Sequence, residues 1–428
     1  MRTSTTSQVP ALWELEHRLG DLIAEQTAIL RSQISPSSRL LEDLHIDSLD
    51  LVELILAIEE EFCVSIPDDI GKQMFVREPV TVAILAEIIH HQWGTGKPPR
   101  LGWLGSRAAP SSVTAVPFTQ LSGHISRRQW ASQPLYEPMA PLTGGCAQFR
   151  RCTDGMRCVL VPEAEVEIGD DTGEFDQRPR HRAKISAFLI DAEPVSVTAY
   201  VRFLNSLVDT PGAAVDSWLA QEGNDRRMSN VQVRVGNFGG WEAVPGTEHQ
   251  PIVLVSWFGA NVYSLWANQV EVTPGASKCN QSFLPTEAQW EYAARGERWQ
   301  KFPWGDAAAT PELALFNLHT ARKRYDDTLP LAPVNARLGM SPFGLQHMAG
   351  NIWQWCADFY DANFFSSPEA SMPEPRCDRP TGIRVERGGS WIGPAELIRS
   401  SYRRGRSPLA RGRCLGFRCT GLASEMPT

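Results

Sequence analysis

The spacing of the hydrophobic residues constrains the fold of this chain most. One part of the chain has the periodicity of helices, and the rest has no regular periodicity. Leucine and isoleucine recur three and four positions apart between residues 12 and 30, the pattern of an amphipathic helix. Similar spacing predicts helices at 48–58 and 81–93, and Pro67 opens a short helix between them. Four short helices within residues 11–93 predict a small bundle.

Two further segments follow the predicted bundle. Residues 94–155 lack periodicity and are rich in proline, glycine, serine and arginine, which is typical of a semi-flexible linker. Residues 156–421 contain many tryptophans and glycines, short strand-like runs and predicted helices at 196–208, 251–269 and 286–295. Because 428 residues exceed what one hydrophobic core accommodates, we expect a multidomain chain in which residues 156–421 form one α+β domain.

The composition excludes several classes of protein. Hydrophobic residues make up 42% and charged residues 21% of the chain, as in soluble globular proteins. The apolar runs are too short to span a bilayer, and the first ten residues lack the apolar core of a secretory signal. These patterns predict a cytoplasmic protein without a membrane partner. The nine cysteines are odd in number and irregularly spaced, which argues against a secreted disulfide framework and against a zinc site of the CxxC kind.

The charges are distributed unevenly. The net charge is -8, with acidic residues concentrated before position 90 and arginines concentrated after position 384. These arginines alternate with glycine, serine and aromatic residues and do not follow a helix suited to a nucleic-acid groove. We therefore expect no nucleic-acid partner, and favour a basic surface that docks an acidic partner domain.

The tripeptide Asp47-Ser48-Leu49 stands at the start of a predicted acidic helix, between LLEDL and FCVSIP. A serine hydroxyl at this place either caps the helix or remains exposed and free to form a phosphodiester. With its surroundings, the segment 11–93 resembles acyl and peptidyl carrier proteins, although His45 replaces their usual glycine. The resemblance implies that a phosphopantetheinyl transferase attaches 4'-phosphopantetheine to Ser48. A loading enzyme then places an acyl or aminoacyl group on the thiol, and assembly-line synthases are further partners.

Eight segments between 156 and 419 carry a second resemblance: VLVPEAEVEIGD, RPRHRAKISAFLIDAEPVSVTAYVRFLN, HQPIVLVSWFGANVYSLWA, LPTEAQWEYAARG, FPWGD, FGLQHMAGNIWQW, RVERGGSW and LGFRC. In content and order they resemble the formylglycine-generating enzyme family, also called sulfatase-modifying factor proteins. The resemblance implies a C-type-lectin-like α+β fold. Members include copper-dependent formylglycine-generating enzymes, iron-dependent sulfoxide synthases, modifiers of siderophore chromophores and proteins that only bind ligands.

The metal chemistry implied by the resemblance stays open. The founding enzyme binds copper through two cysteines after its GGSW segment, and the matching positions here are Gly393 and Ile398, which offer no ligand. Cys414 and Cys419 have the same interval but flank LGFR, which is typical of a core strand. The iron-dependent relatives use histidines of a helical domain that is lacking here. An iron site would then combine His347 or His319 with one of the nearby carboxylates, Asp326, Asp327 or Asp358.

The resemblance also implies a cavity and a structural ion. In the family the cavity floor contains the tryptophan of NxWxW and the serine after the GG pair, here Trp353 and Ser390, with Trp391 and His347 beside them. Arg387, Arg399 and Arg403, with Arg404, either clamp a carboxylate or phosphate or form surface salt bridges. A structural calcium ion is implied at Asn317 and Leu318 together with Asp326 or Asp327.

Three hypotheses of function follow. The leading one is an oxygen- or metal-dependent tailoring enzyme that oxidatively modifies a carrier-bound amino acid or acyl group in natural-product assembly, either polyketide or nonribosomal peptide. The second is a non-catalytic lectin-like module that binds a substrate or a partner synthase. In the third, the segment from GGSW to GFR is a hypervariable ligand-binding surface.

Overall fold

The structure is a computed structural model that describes residues 11–26, 31–40, 43–44, 54, 57–58, 62, 80–95, 134–140, 145–207, 215, 218–219, 231–236, 239–270, 281–318 and 329–426. Four residues with predicted functions lie outside these ranges: Ser48, His319, Asp326 and Asp327. The chain divides into two compact units, an N-terminal helical unit and a larger C-terminal unit of mixed helix and sheet.

The N-terminal unit contains helices α1 (Leu12–Gln26) and α2 (Val82–Thr95), as predicted. Their apolar faces share one core, which also receives Leu54, Ile58 and Phe62. These three residues are helical, but most of the second and third predicted helices lie outside the described residues. The four-helix bundle therefore stays a prediction.

Polar contacts hold residues 31–40 against the helices of this unit. A short 3-10 helix begins at Arg31, whose Nε donates to the buried Asp21 of α1 at 2.6 Å. Further along, Leu40 N donates to Val80 O at 3.0 Å, which holds this segment beside the start of α2.

Two main sheets and two hairpins form the C-terminal unit. The strands in the described residues are β1 (Tyr136–Met139), β2 (Gln148–Arg151), β3 (Arg157–Val161), β4 (Ala164–Ile168), β5 (His181–Ile185), β6 (Phe188–Asp191), β7 (Val233–Val235), β8 (Trp241–Ala243), β9 (Trp353–Phe359), β10 (Arg384–Arg387), β11 (Arg403–Arg406), β12 (Leu415–Gly416) and β13 (Thr420–Leu422). An antiparallel sheet has the order β1-β2-β3-β6-β13, and a mixed sheet has the order β11-β10-β9-β12, in which β12 and β9 are parallel. The hairpins are β4-β5 and β7-β8.

Strands β1 and β2 lie within 94–155, the segment that composition predicts as a linker. β2 pairs with β3 and β1 pairs with β2, which extends the five-stranded sheet toward the N-terminus as far as Tyr136. Tyr136 is 1% exposed and its hydroxyl donates to Asn268 Oδ1 at 3.1 Å, so this aromatic residue anchors the added strand. The linker prediction is therefore wrong for these residues, because two short strands leave little periodic signal.

Three helices pack against the sheets, and each lies within one of the helices predicted at 196–208, 251–269 and 286–295. They are α3 (Val197–Ser206), α4 (Trp257–Ala267) and α5 (Glu287–Arg295). Ser196, Ser256 and Thr286 accept hydrogen bonds from the first turns, and Thr286 forms a full capping box with Gln289. None of the helices within the described ranges combines the length and apolar character needed to cross a membrane.

Candidate functional site

The loop that follows β10 is the first part of the candidate site. Gly388 and Gly389 have φ angles of 98° and 68°, a backbone region that side chains strongly disfavour. A Cβ at Gly389 would lie 2.6 Å from Ile398 Cγ2 and 2.7 Å from Leu397 O, so space as well as conformation requires glycine there. The two glycines allow the chain to turn sharply and bring Ser390 and Trp391 inside the protein, where both are buried.

Two hydrogen bonds attach this loop to the start of β9. Gly350 N donates to Gly388 O at 2.8 Å, and Trp391 N donates to Asn351 O at 3.0 Å. Trp353 follows on β9 and is fully buried, with the Arg404 guanidinium 5.5 Å from its ring centre. The structure thus places Trp353, Ser390 and Trp391 on adjoining segments of the C-terminal unit, and their role as a cavity floor stays a prediction.

His347 is fully buried and has a φ of 56°. Its Nε2 is 3.2 Å from Pro333 O, and its Nδ1 is 3.3 Å from Asn351 Nδ2. The carbonyl can only accept and the amide nitrogen can only donate, which requires a neutral ring with the proton on Nε2. Burial, together with the charge of Arg418, lowers the pKa of His347 to about 4. A metal at His347 would therefore require the ring to give up one of these hydrogen bonds.

The residues at the family's copper positions do not fit that ion. Gly393 and Ile398 have no donor atom for Cu(I), which prefers thiolates. Cys414 and Cys419 are both buried, but they belong to different surroundings. Cys414 O accepts from Trp353 N in the mixed sheet, whereas Cys419 N donates to Asp191 of the five-stranded sheet.

Other metal donors are also dispersed. Both carboxylate oxygens of Asp358 accept backbone N–H groups at 2.8 Å, from Glu287 and from Cys377. Burial, with the charge of Glu287, raises the pKa of Asp358 to about 7. Asp358 therefore has different neighbours from His347, its predicted partner in an iron site. Across the described part of the chain, no three histidine, cysteine or acidic residues are grouped so as to hold a metal.

The arginines of the site form a buried ion-pair network with helix α5. Arg403 Nη2 lies 2.7 Å from Glu287 Oε2, and Arg387 contacts both Glu287, at 3.4 Å, and Glu291. Arg295 also pairs with Glu291. The side chains of all five are at most 2% exposed, so surface salt bridges are the wrong interpretation for Arg387 and Arg403.

The electrostatics of this network are strongly coupled. Burial alone would raise the pKa of Glu287, but the charges of Arg403 and Arg387 outweigh it and hold the pKa below the usual range. Burial would likewise lower the pKa of Arg403, but Glu287 outweighs it and raises the pKa. Both groups are therefore ionised in the folded protein, and the pair is satisfied internally.

Arg399 and Arg404 have other partners. Arg399 Nη1 lies 3.6 Å from Asp170 Oδ2, and its side chain retains 14% exposure, which leaves it more accessible than Arg387 or Arg403. Arg404 lies 3.2 Å from the buried Glu386, where it does not form a surface salt bridge. The hypothesis that Arg399 or Arg404 clamps a carboxylate or phosphate stays a prediction.

The loop predicted to bind calcium is described only in part. Asn317 has a φ of 56°, and Leu318 N donates to Trp391 O at 2.8 Å. This bond ties the loop to the residue after Ser390. The predicted carboxylate ligands are outside the described ranges.

Sequence reasoning missed the partners of the arginines. Glu287, Glu291 and Arg295 follow each other at intervals of four on α5 and therefore share one face. This spacing was visible in TEAQWEYAAR, but nothing in it identified which face would be buried.

The neutral state of His347 predicts a pH dependence of stability. Because its folded pKa of about 4 lies below the ordinary value of 6.5, the unfolded chain takes up a proton first as the pH falls. The free energy of unfolding should decrease between pH 6.5 and 4, by at most about 3 kcal/mol. His347→Gln should remove this component in urea denaturation followed by tryptophan fluorescence. His249→Gln, at an exposed position, is the control, and parallel pH profiles for His347→Gln and the unmodified protein would contradict the assignment.

The buried network predicts strong coupling between Glu291 and Arg387. Glu291→Met leaves Arg387 and Arg295 without their shared carboxylate, and Arg387→Met leaves Glu291 with Arg295 as its only ion-pair partner among the described residues, so each single change should cost about 3–5 kcal/mol. The double variant should cost clearly less than the sum, as measured by a double-mutant cycle in urea. The exposed pair Arg182 and Glu165, 3.8 Å apart, is the matched control and should couple by less than about 1 kcal/mol. If the losses in free energy of unfolding from Glu291→Met and Arg387→Met were additive, the pairing of these two residues would not stabilise the fold.

Comparisons with known proteins agree with the two units. The model of the phosphopantetheine attachment site matches residues 17–70, and the model of the Sulfatase-modifying factor enzyme 1-like domain matches residues 147–421. The second match begins at residue 147, directly before β2, so it includes a strand that lies on the N-terminal side of the predicted domain boundary at residue 156.

The curated relatives match different shares of this chain. The serine/threonine-protein kinase pkn1 of Chlamydia pneumoniae is 29% identical over 61% of this chain, which spans only 37% of that protein's length. The formylglycine-generating enzyme of Streptomyces coelicolor is 28% identical over 67% of this chain and 95% of its own length. The hercynine oxygenase of Mycolicibacterium thermoresistibile is 31% identical over 59% of this chain and 55% of its own.

Among solved structures, that of PvdO from Pseudomonas aeruginosa is 22% identical and matches with a TM-score of 0.47 over 66% of this chain and all of its own. The family model spans more than half of the chain, and the carrier model matches the region around Ser48. The chain therefore belongs to the family of proteins with a Sulfatase-modifying factor enzyme 1-like domain, and it carries a phosphopantetheine attachment site in front of that domain.

Proposed function

We propose that this protein is a carrier-linked tailoring enzyme. Ser48 carries 4'-phosphopantetheine, and the thiol of this arm presents an acyl or aminoacyl group as a thioester to the C-terminal domain. The observation that carries the proposal is the presence of an attachment site and a sulfatase-modifying-factor domain in one chain. Covalent tethering raises the concentration of the carried group at a neighbouring site without requiring affinity for the free compound.

The proposed reaction is an oxidative modification of the carried group, with dioxygen as the class of oxidant. Two relatives support this class, since one is named an oxygenase and another generates formylglycine. Natural-product assembly is the setting in which such a carrier would meet its loading enzyme, its phosphopantetheinyl transferase and its synthases, and we place it in the cytoplasm. Because Gly393 and Ile398 cannot bind copper, no step is assigned to that metal.

A buried hydrogen-bond donor supports ligand binding beside the GGSW loop. Trp391 is 2% exposed, and its Nε1 has no acceptor within the described parts of the chain. Buried donors are nearly always paired, so an acceptor on a bound group would satisfy this indole. We also propose a structural calcium ion at Asn317 and Leu318 with Asp326 or Asp327, since the Leu318–Trp391 hydrogen bond would link that ion to the site.

A second candidate is a non-catalytic binding module. The observation that favours it is again the replacement of both copper ligands, at Gly393 and Ile398. On this proposal the C-terminal domain recognises the carried group or a partner synthase and leaves its chemistry unchanged.

Intact-protein mass spectrometry tests the proposed function. Treatment with a phosphopantetheinyl transferase and an acyl-coenzyme A should add one acyl-phosphopantetheine to the unmodified protein and none to Ser48→Ala. Ser37→Ala, at an exposed serine of the same unit, should load normally. Loaded protein should then change mass in the presence of dioxygen and an iron salt.

The outcomes separate the two candidates. A mass change of the loaded group supports the enzyme. An unchanged mass under every metal and oxygen condition, with calcium as the sole bound metal by elemental analysis, favours the binding module. Failure of Ser48 to load would contradict both.

A further inference from the structure

A cavity of about 230 Å³ lies in the C-terminal unit, at the edge of the five-stranded sheet and beside the start of α5. Phe188 of β6, Leu284 and Ala357 of β9 form an apolar wall, and all three are buried. Leu422 of β13 is 53% exposed and also lines the cavity. The cavity is smaller than those that hold drug-sized ligands, so it suits a compact molecule with an apolar part.

Arg376 supplies a cation to the cavity wall. Its side chain is 21% exposed, and its Nε lies 2.9 Å from Asp378 Oδ1. Among the described residues, neither Nη1 nor Nη2 of Arg376 has a hydrogen-bond partner. Two parallel N–H donors of a guanidinium bind a carboxylate in a bidentate manner, so Arg376 offers an unused carboxylate-binding edge.

Glu374 supplies an anion from the same loop. Its φ of 54° is unfavourable for a residue with a side chain, and two hydrogen bonds hold it in place. Glu374 N donates to Lys184 O at 2.9 Å, and Glu374 Oε1 accepts from Ser186 N at 2.5 Å. Within the described chain Oε2 has no partner, so it is available to an ammonium group.

The two charges select the class of ligand. A simple carboxylate on Arg376 would also meet the negative charge of Glu374, and a simple amine would meet Arg376. A zwitterion satisfies both residues at once, and its apolar side chain would cover Phe188 and Leu284. We propose that this cavity binds a free α-amino acid with an apolar side chain. The proposal does not depend on the carrier or on the proposed oxidation.

Calorimetry on the full chain tests the site with leucine and two analogues. Leucine should bind saturably, whereas 4-methylpentanoate, which lacks the amine, and 3-methylbutylamine, which lacks the carboxylate, should each bind at least about tenfold more weakly. Arg376→Gln should weaken leucine binding by a similar factor. Arg379→Gln is the matched control, because Arg379 lies on the same loop but pairs with Asp361 and Glu369 at the surface, and it should leave the affinity unchanged.

Three results would overturn the proposal: no saturable binding of leucine, equal binding of 4-methylpentanoate, or unchanged affinity in folded Arg376→Gln protein. If Arg376→Gln fails to fold, the analogue series on the unmodified chain decides. Ser48→Ala should bind leucine as the unmodified protein does, which separates this site from a failure of the carrier function.

Discussion

The pairing of two glutamates on α5 with arginines of β10 and β11 is the interaction on which the C-terminal unit depends. Removing these charges from water is costly, and the cost is offset only because each carboxylate meets a guanidinium at close range. Glu291 Oε1 also accepts a hydrogen bond from Gly169 N at 2.8 Å, so the same side chain holds the loop after β4. One helix face therefore sets the positions of two strands and one loop.

This ion-pair network positions the segments of the candidate site. Arg387 is the last residue of β10, and the chain passes from it directly into Gly388 and Gly389. The hydrogen bonds from this loop to Asn351 and Gly350 then join it to β9. The candidate cavity residues thus lie on segments that are held by the ion pairs of Arg387 and by backbone hydrogen bonds. Such a rigid frame suits a domain that either orients a tethered group for chemistry or recognises it.

Some of this arrangement could be predicted from the sequence. Helix α5 was predictable because Thr286 and Gln289 form a local capping signal, and local signals do not depend on tertiary packing. The burial of the arginines was not, because the partner carboxylates lie 96 and 116 residues away in the chain. The cavity at Arg376 was missed for the same reason, since separate strands and loops contribute its walls.

Histidine and strand predictions show two other limits. The neighbours of His347 in the sequence suggested a metal ligand. In the folded chain both ring nitrogens are engaged, by Pro333 O and by Asn351 Nδ2, and the first of these partners is 14 residues away. Strands β1 and β2 have four residues each, too few for an alternating pattern to stand out from a proline-rich segment.

On the proposed function, the group on Ser48 reaches the site beside the GGSW loop. Photo-crosslinking tests it most directly, with Ser48 loaded with a diazirine-bearing acyl-phosphopantetheine and the adducts mapped by peptide mass spectrometry. We expect adducts in the peptides that contain Trp353 and Ser390–Trp391, and their loss in Ser48→Ala. Adducts confined to residues 11–93, or none within the C-terminal domain, would contradict it.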